Sequence, residues 1–172
     1  MTEVAVSRRQ FLRGDLRGSR AGMRPPWALP EAAFTTQCTR CDDCIAACPT
    51  SLIARGSGGY PEMDFRRGGC DFCGKCVAAC KAGAFRAEAS GSFGAWPHRA
   101  AVDARCLSAQ GVVCRACGDH CEATAIRFRL APGGRSFAQV DLARCTGCGA
   151  CVAVCPAGAM TMQVPIAAEA VA

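Results

Sequence analysis

Aromatic side chains are scarce in this chain of 172 residues, which has two tryptophans, one tyrosine and eight phenylalanines. Its apolar half is mostly alanine, valine and cysteine, side chains too small to build the cores of the one or two small domains that this length allows. Long apolar runs are lacking as well. No stretch reaches the roughly 18 residues of a membrane-crossing helix, so no span is expected. There is no nucleotide-binding glycine loop, no paired-carboxylate signature and no nucleophile with a recognisable base partner, so an enzyme in the strict sense is not expected.

What the chain has instead is cysteine, sixteen residues of it. The run Cys145, Cys148, Cys151, Cys155 with Pro156 behind it reads C-x2-C-x2-C-x3-C-P, the bacterial-type ligand run of a [4Fe–4S] cluster. Cys38, Cys41, Cys44 and Cys48 repeat it with Pro49, and Cys70, Cys73, Cys76 and Cys80 repeat it with Lys81 in the proline place. The remaining set is irregular: Cys106 precedes Cys114 by eight residues, and Cys117 and Cys121 follow. All sixteen fall into these four quartets, so four clusters are expected, the irregular quartet being the place where one is most easily lost. In two-cluster ferredoxins the last cysteine of a run serves the other cluster. Cubanes would supply the interior volume that the side chains lack and make folding depend on the cofactor.

Other uses of so much cysteine fit less well. Disulfides suit a secreted chain, but pairing does not explain one internally spaced run repeated. Zinc sites join two separated C-x2-C pairs, whereas here three or four cysteines crowd into a short segment. The formal net charge of +6 would point to nucleic acid, yet an oxidised cubane with its thiolates carries about −2, and four of them leave the holoprotein near −2. No nucleic-acid motif accompanies the positive charge, which sits mainly on Arg8, Arg9, Arg13, Arg17, Arg20 and Arg24.

Those arginines define residues 1–30 as a flexible basic arm without periodic apolar pattern. Within it, Ser7-Arg8-Arg9-Gln10-Phe11-Leu12-Arg13 is similar to the twin-arginine export box, but the apolar region of an export signal does not follow. Either the match is fortuitous in a solvated arm or the box is a recognition element without export. Trp27, after Pro25 and Pro26, either packs on the adjoining domain or contacts a partner. His98 and His120 read as surface histidines, with ligation or proton relay as the alternatives.

Strands are expected over 51–55 and 60–65, around a Gly-Ser-Gly-Gly turn, over 84–87, over 125–130 and 136–140, and near 159–164. The cluster runs recur every 32 to 39 residues. The expected fold is α+β: two dicluster ferredoxin-like modules of short helices and β-hairpins, over 31–90 and 91–165, with a tail over 166–172. A tandem pairing joins the first quartet with the second and the third with the fourth. A nested one joins the first with the fourth around the other two. Plausible hairpins bridge each tandem pair.

Together these features resemble one family. Ser7-Arg8-Arg9 with Phe11-Leu12, Arg24-Pro25-Pro26-Trp27, Cys38-Thr-Arg-Cys-Asp-Asp-Cys44 and Arg55-Gly-Ser-Gly-Gly-Tyr-Pro61 are similar to the NapF family of ferredoxin-type proteins, as are the irregular quartet and the Ile126-Arg-Phe-Arg segment after it. The resemblance implies a cytoplasmic accessory protein of the periplasmic nitrate reductase system that binds the catalytic molybdenum subunit, NapA, before export and assists its maturation, including assembly of its [4Fe–4S] cluster. It carries over the sixteen cysteines as metal ligands and no catalytic residue. A soluble multi-cluster carrier passing single electrons between redox proteins is the alternative.

Overall fold

A computed structural model describes residues 22–86 and 94–165. The arginine box, the rest of the arm to residue 21, residues 87–93 and the tail from 166 lie outside the described residues.

Each cysteine run folds by the same backbone steps. In the three regular runs the residues on either side of the second cysteine adopt left-handed backbone: Arg40 and Asp42 (φ 60° and 66°), Phe72 and Gly74 (53° and 71°), Gly147 and Gly149 (83° and 81°). Such alternation turns N–H groups towards one concavity, which suits an anionic body. A single helical turn follows: α2 (Asp43–Ala46), α3 (Lys75–Ala78), α4 (Ala116–Asp119) in the irregular run, and α5 (Ala150–Ala153). Each turn buries the third cysteine of its run, Cys44, Cys76, Cys117 and Cys151.

Three residues past the fourth cysteine the chain is left-handed again, at Ser51, Gly83, Thr124 and Gly158 (φ 52°, 69°, 48° and 58°). The next residue plunges inward. Leu52, Ala84, Ala125 and Ala159 are at most 1% exposed, which marks this step as the point where each loop is pinned to its core.

Strands then close each half. β1 (Ile53–Arg55) and β2 (Pro61–Met63) form an antiparallel hairpin between the first and second runs, and β4 (Ile126–Ala131) and β5 (Arg135–Val140) form the equivalent hairpin between the third and fourth. β3 (Arg99–Val102) pairs with β6 (Met160–Gln163), and a bridge joins Ala28 to Phe85. Two cores result. Phe34, Ile53, Ala84 and Phe85 surround Cys44 and Cys76, while Ala100, Ala125, Ile126, Ala138 and Met160 surround Cys117, Cys145 and Cys151.

Several features depart from the sequence expectation. The segment 22–30 is part of the fold rather than the end of a free arm: Pro25 and Pro26 are fully buried and Trp27 is 3% exposed. Their rings fill volume that alanine and cysteine leave open. Arg24 fixes this segment by pairing with Glu31 at 2.6 Å while its guanidinium lies over Phe34 and Tyr60, 5.3 and 5.2 Å from the ring centres. Glu31, the first residue of the expected first module, opens a helix, α1 (Glu31–Gln37). β3 lies over residues for which no strand was expected, because its four residues acquire their pairing only from β6. His98 is half-buried against Trp96, 5.5 Å between ring centres, and burial with the Arg99 charge holds its imidazole below the usual value. The expected strand over 84–87 is reduced to the single bridge at Phe85, with Ala87 outside the described residues.

An aromatic cluster joins the two modules: Trp96 meets Phe65 and Phe72 edge-on at 5.9 and 6.1 Å, and Phe72 meets Trp27 at 6.1 Å. The Trp27 N–H donates to the Ala95 carbonyl at 2.7 Å, tying the entry segment to the start of the second module. Trp27→Ala should therefore lower holoprotein stability by about 3–5 kcal/mol, read as a fall in the urea midpoint. Gly158→Ala, at a left-handed position where a Cβ would meet only the Arg105 guanidinium at 4.0 Å, should cost only about 1 kcal/mol through backbone strain, seen in the same titration.

Candidate metal centres

The sixteen cysteines, all free thiols, converge on four cavities. Cys38, Cys41 and Cys44 line the first together with Cys80, and Cys70, Cys73 and Cys76 line the second together with Cys48. In the other module Cys106, Cys114 and Cys117 share the third with Cys155, while Cys145, Cys148 and Cys151 share the fourth with Cys121. Every run thus gives three sulfurs to its own cavity and sends the fourth to its neighbour's. The exchange stays within a module, which is the tandem pairing.

The four cavities are alike in size, so the irregular quartet makes a site comparable with the others. It does so by a different route. Between Cys106 and Cys114 the chain makes a short 3-10 turn, Leu107–Gln110, which packs beside β5 and returns the second cysteine to the place that a two-residue spacer reaches in the regular runs. Val113 in this loop is 95% exposed, so the extra length is looped outward and not stored in the core.

Each cavity is lined by four cysteine sulfurs, the donor set of a [4Fe–4S] cubane. The polar surroundings also suit sulfur-rich clusters, since hydrogen bonds to sulfur help set their potentials. Ala125 N–H donates to Cys121 Sγ at 3.3 Å and Ala159 N–H to Cys155 Sγ at 3.2 Å. The Ser108 hydroxyl, 2% exposed, lies 3.3 Å from Cys106 Sγ, and the Thr50 hydroxyl lies 3.5 Å from Cys48 Sγ. These hydroxyls were missed by reading the cysteines alone. Their signal is a Ser or Thr two residues after a cysteine.

Burial decides the state of the inner thiols. It pushes Cys44, Cys70 and Cys117 up to about 11 and Cys76 and Cys151 up to about 12, with crowding by other cysteines adding to the effect. Their ionisation needs the positive charge of bound iron, so loading releases protons. At Cys48 and Cys106 burial acts the same way, but hydrogen bonds from Thr50 and Ser108 and from nearby amides outweigh it and bring the thiol below its usual value.

His120 borders the fourth cavity, exposed, with Nδ1 3.1 Å from the Ala116 carbonyl. His98 borders none of the four cysteine cavities. The crossing of the fourth sulfur yields a direct expectation. Cys80→Ser should weaken iron binding at Cys38, Cys41 and Cys44, and not at the three cysteines of its own run. Iron analysis should show a loss of up to about four iron atoms per chain, and spectroscopy of Cys41→Ser should report the same missing site.

A family model described as a 4Fe-4S dicluster domain matches residues 37–94 and 112–159. The second match begins after Cys106, a residue that the structure nonetheless places in the third cavity. The ferredoxin-type protein NapF of Escherichia coli K12 is 41% identical over 161 residues, covering 94% of this chain and 96% of that protein. NapF of Haemophilus influenzae is 41% identical over 95% of this chain and 97% of its own length. The methylamine utilization ferredoxin-type protein MauM of Methylophilus methylotrophus is 32% identical over 82% of this chain and 70% of its own length. With [4Fe–4S] dicluster domains in both halves and this likeness along nearly its whole length, the chain belongs to the NapF family of ferredoxin-type proteins.

Proposed function

We propose that this chain is an accessory iron–sulfur protein of the periplasmic nitrate reductase system, working in the cytoplasm on the catalytic molybdenum subunit, NapA. In this reading it binds that subunit before export and assists its maturation, including assembly of the subunit's own [4Fe–4S] cluster. The observation that carries it is the 41% identity to NapF over 94% of the chain.

Four clusters belong to the same reading. Cys38, Cys41, Cys44 and Cys80 would hold the first; Cys70, Cys73, Cys76 and Cys48 the second; Cys106, Cys114, Cys117 and Cys155 the third; Cys145, Cys148, Cys151 and Cys121 the fourth. Bound there, each cluster supplies one-electron storage. The protein orients it with four sulfurs, lines it with amide and hydroxyl donors, and shields it with the apolar residues of its core. No reaction on a substrate is assigned to the chain itself.

A second reading is a soluble carrier passing single electrons between redox proteins. It is favoured by the likeness to a relative named for methylamine utilization, which suggests one scaffold serving more than one system.

The test has two parts. Anaerobically purified full-length protein should contain about sixteen iron and sixteen sulfide per chain, whereas about twelve would remove the third site, and zinc without sulfide would overturn both readings. Used as bait in a cytoplasmic extract, the same protein should recover the molybdenum subunit in its unfinished form. Failure to recover it, with cluster reduction intact, would overturn the maturation role and leave the carrier. Removing residues 1–21 should weaken that capture if the arginine box is a recognition element.

A further inference from the structure

We infer that the two modules are joined into a single electron path running first site, second site, fourth site, third site, and that its junction is the contact of Gly69-Cys70 with Cys148-Gly149-Ala150. The inference rests on the reading that cubanes fill the four cavities. Its support lies in the chain's own residues.

Cys70 lines the second cavity and Cys148 the fourth, and the Cys70 N–H donates directly to the Cys148 carbonyl at 2.7 Å. Two ligand loops from different modules therefore touch through the backbone of the ligands themselves. Glycine makes this approach possible. A Cβ on Gly69 would stand 2.8 Å from the Ala150 Cβ and 3.0 Å from its backbone nitrogen, with no flexible side chain there to give way. One on Gly149 would enter the Phe65 ring, and one on Gly147 would collide with the His98 carbonyl and the Trp96 indole. Gly147 and Gly149 also need their positive φ of 83° and 81°.

Phe65 and Trp96, 7% and 6% exposed, pack edge-on to each other beside the junction. Inside each module the crossing cysteines already bind neighbouring sites together, Cys48 and Cys80 in the first and Cys121 and Cys155 in the second. The order in space thus differs from the order along the chain. The third site, at the irregular quartet, becomes an end of the path, with the exposed Val112 and Val113 loop beside it.

The electron balance is simple. A low-potential one-electron donor is oxidised at one end, a one-electron acceptor is reduced at the other, and no proton or leaving group moves. The opposite arrangement, with the modules acting as separate two-centre carriers, would not require the ligand loops to touch.

The test is EPR of the anaerobic full-length protein reduced with dithionite, alongside iron analysis. The parent should show magnetic interaction linking all its reduced centres. In Gly69→Val, where the added methyl groups must push Ala150 away, iron content and the interaction within each module should persist while the interaction between modules is lost. Gly69→Ala should weaken it, and adding Ala150→Gly to that variant should restore it in part, since the backbone nitrogen of residue 150 remains close to the new Cβ. A fully loaded parent whose spectrum is the sum of two independent pairs overturns the inference, as does a fully loaded Gly69→Val protein with the parent's spectrum. A parent with no iron or sulfide overturns the functional reading and this inference together, so the two failures are told apart by the metal analysis.

Discussion

Everything in this structure depends on the exchange of one sulfur between neighbouring sites. If each run closed on itself, every quartet would be a separate loop on a surface, with little apolar area to support it. Because Cys48 and Cys80, and likewise Cys121 and Cys155, cross to the adjoining cavity, each site needs two distant segments in place at once. Metal binding then does the work that a larger apolar core does elsewhere, and folding and loading become one process. The scarcity of aromatics follows from this arrangement. Large side chains are used mainly where there is no cluster to fill space: at the entry segment, in the first core and between the modules.

The exchange was legible in the sequence as a general property of such runs, and the hairpins favoured the correct partners, since Ile53 to Met63 and Ile126 to Val140 do form antiparallel pairs. What the spacing could not convey was the return of the irregular run to the same geometry, because that is achieved by a turn packed beside a strand from later in the chain. Nor did β3 have a local signal. Residues 99–102 lack alternation of their own, and their partner strand begins 58 residues further on in the pairing of Val102 with Met160. Trp27 packs on the domain, as one of its two readings had it, but the proline and arginine before it looked like a solvated arm, while the fold uses the two prolines as buried apolar rings.

The backbone after each fourth cysteine repeats more faithfully than the side chains do. Ser51, Gly83, Thr124 and Gly158 share one conformation although only two are glycine, and the following residue is buried in every case. A non-glycine residue in the left-handed region carries strain, so Ser51 and Thr124 mark places where pinning the loop outweighs that cost. At Thr124 the hydroxyl accepts a hydrogen bond from Arg144, which offers one source of compensation.

The pairing of β3 with β6 also bears on how such a chain could arise. Arg99 lies opposite Gln163 and Ala28 opposite Phe85, so in each half the beginning and the end are neighbours in space. A body whose ends meet can be copied head to tail with only a short connection and no disturbance to its interior. Inserting one copy inside another would instead have to open a hairpin that holds two ligand loops together. The closed outline of each half thus makes duplication in series the mechanically simple way to lengthen this protein, two centres at a time.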